Sequence, residues 1–302
     1  STVMKKIGFI GVGIMGKPMV RNLMKAGFEL HIYARTRSKV EDVIGEGALF
    51  HPSIGECVKE CDAVITIVGY PKDVEEVYFD KGNILDSAGA GTYLIDMTTT
   101  SPQIAEKLYQ EGAKRGFHVL DAPVTGGDTG AKAGTLSILV GGDREDYEAC
   151  MEIFRAMGTN INYEGKAGCG QHCKLANQIM IAGALSGVCE ALTYAESKGL
   201  DLDTFFRSVS SGAAGSRQFD TLGPKIIRGD YAPGFFMKHF IKDMKLALIE
   251  SNRSGLSLGV LSQVLADCEE LEAEGYGDLG TQALMKYYDE EHRGELQLTS
   301  EI

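Results

Sequence analysis

The sequence predicts an α/β protein, with a doubly wound, mostly parallel sheet at its N-terminus and a C-terminal all-α domain joined to it by a long helix. Three observations predict this: a glycine-rich turn between the first strand and helix, alternating strand and helix patterns as far as Gly158, and almost purely helical patterns after it. A length of 302 residues fits two domains, which we place at 1–164 and 165–302.

The glycine turn follows a short apolar strand that begins at Lys6, and a helical pattern from Lys17 to Ala26 follows the turn. In Gly-x-Gly-x-x-Gly one glycine makes the bend, one lets the backbone approach a pyrophosphate, and one lets helix and strand pack closely. The helix N-terminus then binds the phosphates. This order predicts a Rossmann dinucleotide-binding domain; the alternative is a tight turn that binds nothing. The predicted contacts are Gly11, Gly13, Ile14, Met15 and Gly16.

The second strand, Phe28 to Tyr33, ends in Ala34-Arg35-Thr36 and further cations. An NAD-binding domain is expected to carry Asp or Glu about 20 residues past the glycines, and none stands here. Arg35 can stack on adenine or pair with a 2′-phosphate, and Thr36 can donate a hydrogen bond to it. We therefore predict NADP as the cofactor; the alternative is NAD beside a solvated basic turn.

Three more strand ends are predicted to reach the carboxyl edge of the sheet, where cofactors bind in such folds. Val68 and Gly69 end one, and the hydroxyls of Thr98–Thr100 follow the next, with helix N-capping as their alternative role. The strand that ends at Asp121 opens into Thr125, Gly126 and Gly127, whose backbone N–H groups are predicted to bind a carboxylate.

A helical pattern without proline extends from Gly168 to Lys198. Lys174 and Asn177 are three residues apart on it and share one face, and Gly170 is small enough to admit a ligand there. An ammonium and a carboxamide suit a carbonyl oxygen, with the lysine donating or accepting a proton. The alternative is an ordinary solvated lysine. More helices are predicted at 203–210, 238–254, 259–274 and 281–289, and the polar segment from Glu290 is predicted to fray.

The composition excludes several partners. A formal net charge of −12 argues against nucleic acid and anionic membranes, and we expect no apolar run long enough to span a bilayer. Seven cysteines, with no signal-like segment before Lys5, predict reduced thiols and a cytoplasmic protein. The Cys169-x-x-x-Cys173 pair suggests a metal, but no second ligand pair follows, so no metal site is expected.

Four motifs occur in order, and together they resemble the β-hydroxyacid dehydrogenase family, which includes 3-hydroxyisobutyrate dehydrogenase and 2-hydroxy-3-oxopropionate (tartronate semialdehyde) reductase. They are Gly-x-Gly-x-Met-Gly at 11–16, Asp-Ala-Pro-Val-Thr-Gly-Gly at 121–127, Gly-x-Gly-x-x-x-Lys-Leu-Ala-Asn at 168–177, and Lys-Asp-x-x-x-Ala at 242–247. The resemblance covers Lys6 to about Tyr288.

The resemblance implies a role for each matching residue. Lys174 would be the catalytic acid and base, Asn177 would position the substrate, and the 125–127 segment would hold its carboxylate. Thr99 and Lys242 would contact the cofactor. A homodimer or homotetramer through the helical domain is also implied.

The chain departs from the family pattern at three places: Thr125 replaces the usual Ser, Val68-Gly69 replaces a common Leu-Pro, and Ala34 replaces the Asp of NAD-using members. We therefore expect hydride transfer between NADP(H) and a short β-hydroxy acid or its semialdehyde. The alternatives are a non-catalytic dinucleotide-binding module and a 6-phosphogluconate dehydrogenase-like oxidative decarboxylase, whose chain is normally longer. Imine reduction usually goes with another residue at the lysine position.

Overall fold

A computed structural model describes residues 3–289, so the predicted fraying from Glu290 lies outside the described residues. The chain divides into two compact units, Ser1–Lys174 (unit 1) and Leu175–Ile302 (unit 2). The division falls inside the long helix, ten residues after the predicted boundary at 164/165, which stays a prediction. The fold class is confirmed: unit 1 contains a mostly parallel sheet with helices, and the described part of unit 2 is helical.

The sheet of unit 1 has the order β3-β2-β1-β4-β5-β6-β8-β7, with β9 beside β8. Strands β1 to β6 pair in parallel, β8 pairs antiparallel with β6 and β7, and β9 returns parallel to β8. Strands such as β4 are buried at every residue, as expected when helices cover both faces. The strands are β1 Lys6–Ile10, β2 Glu29–Tyr33, β3 Leu49–Phe50, β4 Ala63–Thr66, β5 Tyr93–Asp96, β6 His118–Asp121, β7 Val124–Thr125, β8 Leu136–Gly141 and β9 Gly158–Gly165.

Strand β9 was not predicted, because strand patterns were expected nearly to stop after Gly158. Its side chains alternate between half-buried and exposed, as in Ile161, Asn162 and Tyr163. That alternation is typical of a strand with one solvated face, but the segment has no continuous apolar run of the kind seen in β1 and β4. The segment between β8 and β9 forms two helices that meet at Cys150.

The helices of unit 1 connect these strands and cover the sheet. They are α1 Gly16–Lys25, α2 Glu41–Gly45, α3 Ile54–Val58, α4 Pro71–Phe79, α5 Ile84–Ser87, α6 Pro102–Lys114, α7 Gly127–Ala133, α8 Arg144–Ala149 and α9 Met151–Met157, with a 3₁₀ helix at Arg37–Val40. Helix α10, Cys169–Ser197, begins in unit 1 and continues into unit 2.

Unit 2 has a core formed by α10 and four further helices. These are α11 Leu202–Val209, α12 Arg217–Arg228, α13 Met237–Arg253 and α14 Gly259–Leu271, followed by a π-helical turn, Glu272–Tyr276, and a 3₁₀ helix, Thr281–Tyr288. Helix α12 was not predicted; it contains Pro224, a residue type that is disfavoured inside helices. Ser216 caps its first turn by accepting a hydrogen bond from Phe219 N at 3.0 Å, and Phe219 and Ile226 are buried.

The expectation that no apolar run is long enough to span a bilayer is corrected by the length and composition of helix α10. Among the described residues it is the one helix long and apolar enough to cross a membrane by length and composition alone. It also has buried polar side chains at Gln171, Lys174 and Gln178, and apolar ones in the core of unit 2. A core helix of a soluble protein passes the same test.

Candidate active site

The three glycines of the first turn have different surroundings. Gly11 has φ +100°, and a Cβ there would collide with the Ile67 carbonyl, so the fold itself requires glycine. A Cβ on Gly16 would collide with the Gly11 carbonyl. At Gly13, in contrast, a Cβ would meet no atom within 4 Å. Two glycines therefore serve packing, and the third leaves an open surface of backbone that fits a ligand.

Helix α1 begins beside that open surface. Its N-cap residue, Met15, makes no side-chain capping bond, and its first turn has no acidic residue. Gly13 and Ile14 are exposed there. Uncapped N–H groups and the positive end of the helix dipole fit the phosphates of a dinucleotide.

The end of β2 presents a cation and a hydroxyl to solvent. Arg35 and Thr36 are exposed, and Thr36 precedes the 3₁₀ helix without using its side chain as a cap. The Arg35 guanidinium lies 3.5 Å from the Glu76 carboxylate of α4. Both side chains are thus available to a group bound at this strand end.

A hydrogen bond from Val68 N to Thr98 Oγ1, at 3.0 Å, joins the loops after β4 and β5. Thr98 is 1% exposed, so its hydroxyl has a structural role. Val68, Gly69 and Thr99 are half-buried beside it. The N-cap of α6 is Ser101, which accepts from Gln103 N at 3.2 Å, so none of the three preceding threonines is that cap.

A buried acid lies beneath these loops. The Asp96 carboxylate accepts hydrogen bonds from Thr66 Oγ1 at 2.9 Å and Thr98 N at 3.1 Å. Thr66 Oγ1 is also 2.7 Å from the Tyr78 hydroxyl. Burial raises the pKa of Asp96 to about 6, although the hydrogen bonds to its charged form act in the opposite direction.

The start of α10 is held by the acid at the end of β6. The Asp121 carboxylate accepts from Gly168 N at 2.9 Å and from Gln171 N at 3.0 Å. Burial raises the pKa of Asp121, while the backbone N–H bonds lower it. A Cβ on Gly170 would lie 2.5 Å from the Leu139 carbonyl and 2.7 Å from the Asp121 carbonyl. The expectation that Gly170 leaves room for a ligand is therefore wrong, because the edge of the sheet packs closely against it.

Gln171 makes a second link between α10 and the sheet. Its side chain is fully buried; Nε2 donates to Thr98 O at 2.7 Å, and Oε1 accepts from Thr100 N at 2.9 Å. We call Asp121 and Gln171 the helix clamp. Lys174 lies three residues after Gln171 and is 8% exposed, unlike an ordinary solvated lysine.

The segment after β7 offers backbone groups to a ligand. Thr125 is half-buried, whereas Gly126 and Gly127 are exposed. Both glycines have positive φ, +128° and +66°, and α7 begins at Gly127. No side chain caps the start of α7 at Gly126, so backbone N–H groups there are open to a carboxylate.

Unit 2 has a polar chain of its own. Asn177 Nδ2 donates to Gln178 Oε1 at 2.8 Å, and Gln178 Nε2 donates to Asp243 Oδ2 at 2.8 Å. Lys242 Nζ lies 2.9 Å from Asp243 Oδ1. Two predicted site residues, Asn177 and Lys242, are thus connected through two buried ones.

Cys169 and Cys173 are partly exposed, and burial raises the pKa of both thiols. Within residues 3–289, no group of three or more His, Cys, Asp or Glu side chains is arranged to hold a metal ion.

Two family profiles match nearly the whole chain. One, described as the NAD binding domain of 6-phosphogluconate dehydrogenase, matches residues 6–165; the other, described as NAD-binding of NADP-dependent 3-hydroxyisobutyrate dehydrogenase, matches residues 168–288. The chain is 43% identical to a probable 3-hydroxyisobutyrate dehydrogenase-like protein of Arabidopsis thaliana, over 93% of this chain and 84% of that one. It is 34% identical to 2-hydroxy-3-oxopropionate reductase of Escherichia coli, over 93% and 96%.

This chain belongs to the β-hydroxyacid dehydrogenase family. A solved structure of 3-hydroxyisobutyrate dehydrogenase from Mycobacterium tuberculosis, with L-serine, matches it with a TM-score of 0.87 and 28% identity, over 95% of this chain and all of that one. The resemblance predicted from the four motifs is thereby confirmed, and so is the activity class, an NAD(P)-dependent oxidoreductase.

In this β-hydroxyacid dehydrogenase, most predicted site residues follow strand ends of unit 1, and the roles of all of them stay predictions. Those in unit 1 are Gly11, Gly13, Ile14, Met15, Gly16, Arg35, Thr36, Val68, Gly69, Thr99, Thr125, Gly126, Gly127 and Lys174; those in unit 2 are Asn177 and Lys242. No role was predicted for Asp96, Asp121, Gln171 or Gln178. For Asp121, its place at the end of a predicted strand was an available signal.

Proposed function

We propose that this chain transfers a hydride between NADP(H) and a short-chain β-hydroxy acid or its semialdehyde, with Lys174 as general acid and base. One observation carries the proposal. The amine-bearing residue is buried one turn into a helix whose start is fixed to the carboxyl edge of the sheet by the helix clamp. The same edge bears the glycine turn, where the dinucleotide would bind.

The open backbone at Gly13 and the uncapped start of α1 fit a dinucleotide pyrophosphate. Val68, Gly69, Thr99 and, in unit 2, Lys242 would make further cofactor contacts. When bound, the cofactor supplies or receives the hydride. Support for NADP comes from Arg35 and Thr36, both exposed at the end of β2 where no carboxylate stands to repel a 2′-phosphate. NAD is the alternative.

The substrate end of the proposal rests on Thr125, Gly126 and Gly127, whose N–H groups would hold a carboxylate. Fixing the carboxylate orients the substrate, and Asn177 would help to position it. Lys174 would donate a proton to the carbonyl oxygen during reduction and accept one from the hydroxyl during oxidation. The names of two relatives, a probable 3-hydroxyisobutyrate dehydrogenase-like protein and 2-hydroxy-3-oxopropionate reductase, refer to short acids of this class.

The test compares NADPH oxidation with succinic, methylmalonic and tartronic semialdehydes in the natural chain, Lys174→Met and Lys166→Met. Lys166 is an exposed lysine shortly before α10 and provides the matched control. Loss of general acid catalysis lowers kcat by roughly 10²–10⁴-fold. We expect that loss in Lys174→Met, with NADPH affinity retained, and an unchanged rate in Lys166→Met.

Two results would contradict the proposal. Undiminished kcat in Lys174→Met would remove the acid–base role, and absence of turnover by the natural chain with every semialdehyde would favour a non-catalytic dinucleotide-binding module. A homodimer or homotetramer and a cytoplasmic location remain further proposals. Light scattering of the purified protein tests the first, and fractionation of the source cells tests the second.

A further inference from the structure

The cation proposed to select NADP has an acidic neighbour. Arg35 Nη2 lies 3.5 Å from Glu76 Oε1, although the two residues are 41 positions apart. We infer that Glu76 is a specificity-determining residue, which weakens binding of NADP relative to NAD by competing for Arg35. This inference rests on the proposed function, in which Arg35 receives the 2′-phosphate.

The fold explains why these two side chains meet. Strands β2 and β4 lie on either side of β1, so the end of β2 and the helix after β4 flank the glycine turn. Helix α4 is fixed at its start by Tyr70 N, which donates to Asp73 Oδ2 at 2.9 Å. Asn83 Nδ2 donates to the Glu76 carbonyl at 2.8 Å. The Glu76 backbone is thus fixed, while its side chain is 49% exposed and can turn toward Arg35 or away from it.

The next cation along the chain is engaged elsewhere. The Arg37 guanidinium lies over the Phe50 ring at 5.1 Å and pairs with Glu41 at 3.4 Å. Arg35 is 73% exposed and has Glu76 as its ion-pair partner among the described side chains. A 2′-phosphate bound at Arg35 would therefore compete with the Glu76 carboxylate for the same guanidinium.

The charges of the groups determine the direction and the size of the effect of Glu76 on the affinity for NADP. A phosphomonoester carries a charge of about −1.5 to −2 near neutral pH, so a carboxylate close to it is repulsive. A bound NAD has a neutral 2′-hydroxyl at the same place and experiences no such repulsion. Because the groups are solvent-exposed, screening limits the effect to about three- to tenfold in affinity.

Glu76→Gln removes the charge and keeps the shape of the side chain. Glu75→Gln is the matched control, since Glu75 is the preceding exposed residue on α4. kcat/KM for NADP and for NAD is measured at low and high salt in the natural chain, both glutamine variants and Arg35→Ala. We expect Glu76→Gln to raise kcat/KM for NADP by about three- to tenfold at low salt, with NAD changed by less than twofold and a smaller gain at high salt.

The variants distinguish failure of the inference about Glu76 from failure of the proposed NADP preference. If Arg35→Ala reduces kcat/KM for NADP selectively but Glu76→Gln behaves like Glu75→Gln, the inference about Glu76 is wrong and the proposed cofactor preference stands. An equal change for NADP and NAD in Glu76→Gln also overturns the inference, because it indicates a general effect on α4. If Arg35→Ala affects NADP and NAD equally, the proposed NADP preference fails, and the inference fails with it.

Discussion

Replacing Gln171 by Met tests whether the helix clamp matters for stability and for catalysis. Met has a similar volume, so the change removes two buried hydrogen bonds, at 2.7 and 2.9 Å, without leaving a large cavity. Each such bond contributes about 1 kcal/mol, and leaving the Thr98 carbonyl and Thr100 N–H buried without a partner adds to the loss. We expect the free energy of unfolding to fall by about 2–4 kcal/mol.

Urea unfolding measures this loss, and kcat/KM is compared under conditions where both proteins are fully folded. A shift of about 1 Å in a catalytic group can cost 10²-fold in rate, so we expect kcat to fall by at least tenfold while KM for the cofactor changes little. Gln110→Met is the matched control, because Gln110 is an exposed residue on α6. If both variants lose equally little stability and Gln171→Met keeps the natural kcat, the clamp does not position Lys174.

Two further predictions concern the strand ends. Gly13→Ala is expected to leave the unfolding free energy within about 1 kcal/mol and to raise the KM for the cofactor by about tenfold or more, whereas Gly11→Ala is expected to impair folding, because its backbone has φ +100° and no room beside Ile67. Thermal unfolding and cofactor titration check both; equal stability of the two variants would contradict the distinction. The pKa of Asp96 is about 6 against an ordinary 3.8, so the folded chain holds its proton more tightly and the contribution of Asp96 to stability is lost as pH rises through 6. The unfolding free energy of the natural chain minus that of Asp96→Asn should fall by about 2 kcal/mol between pH 4.5 and 8, and a constant difference would argue against it.

The sequence predicted those parts of the fold that depend on local patterns. The glycine turn, the apolar strands and the proline-free helix α10 each carry a periodic or spacing signal within a few residues. Strand β9 and helix α12 were not predicted: β9 has few apolar residues among polar ones, and α12 contains Gly223-Pro224. Strand β9 is stabilised by pairing with β8, and without that partner its short alternation of apolar and polar residues is a weak signal.

The supporting residues of the candidate site depend on contacts far apart in the sequence. Asp121 bonds to N–H groups 47 and 50 residues away, and Gln171 bonds to a loop more than 70 residues before it. The role of Gly170 was predicted wrongly for the same reason, because the sheet edge that packs against it is visible only in the folded chain. One sequence without the fold identifies the amine of Lys174 as a candidate and leaves its surroundings undetermined.

The start of α10 receives its cap from Asp121 rather than from a neighbouring residue. Its first amide groups are therefore protected only when β6 is in place, whatever the intrinsic helix propensity of the segment. Deuterium uptake at Gly168 and Gln171 would consequently report opening of the sheet edge, and a synthetic peptide covering α10 alone would fray at the end that carries Lys174. The order of the segment proposed to handle the proton thus depends on a carboxylate that lies about 50 residues earlier in the chain.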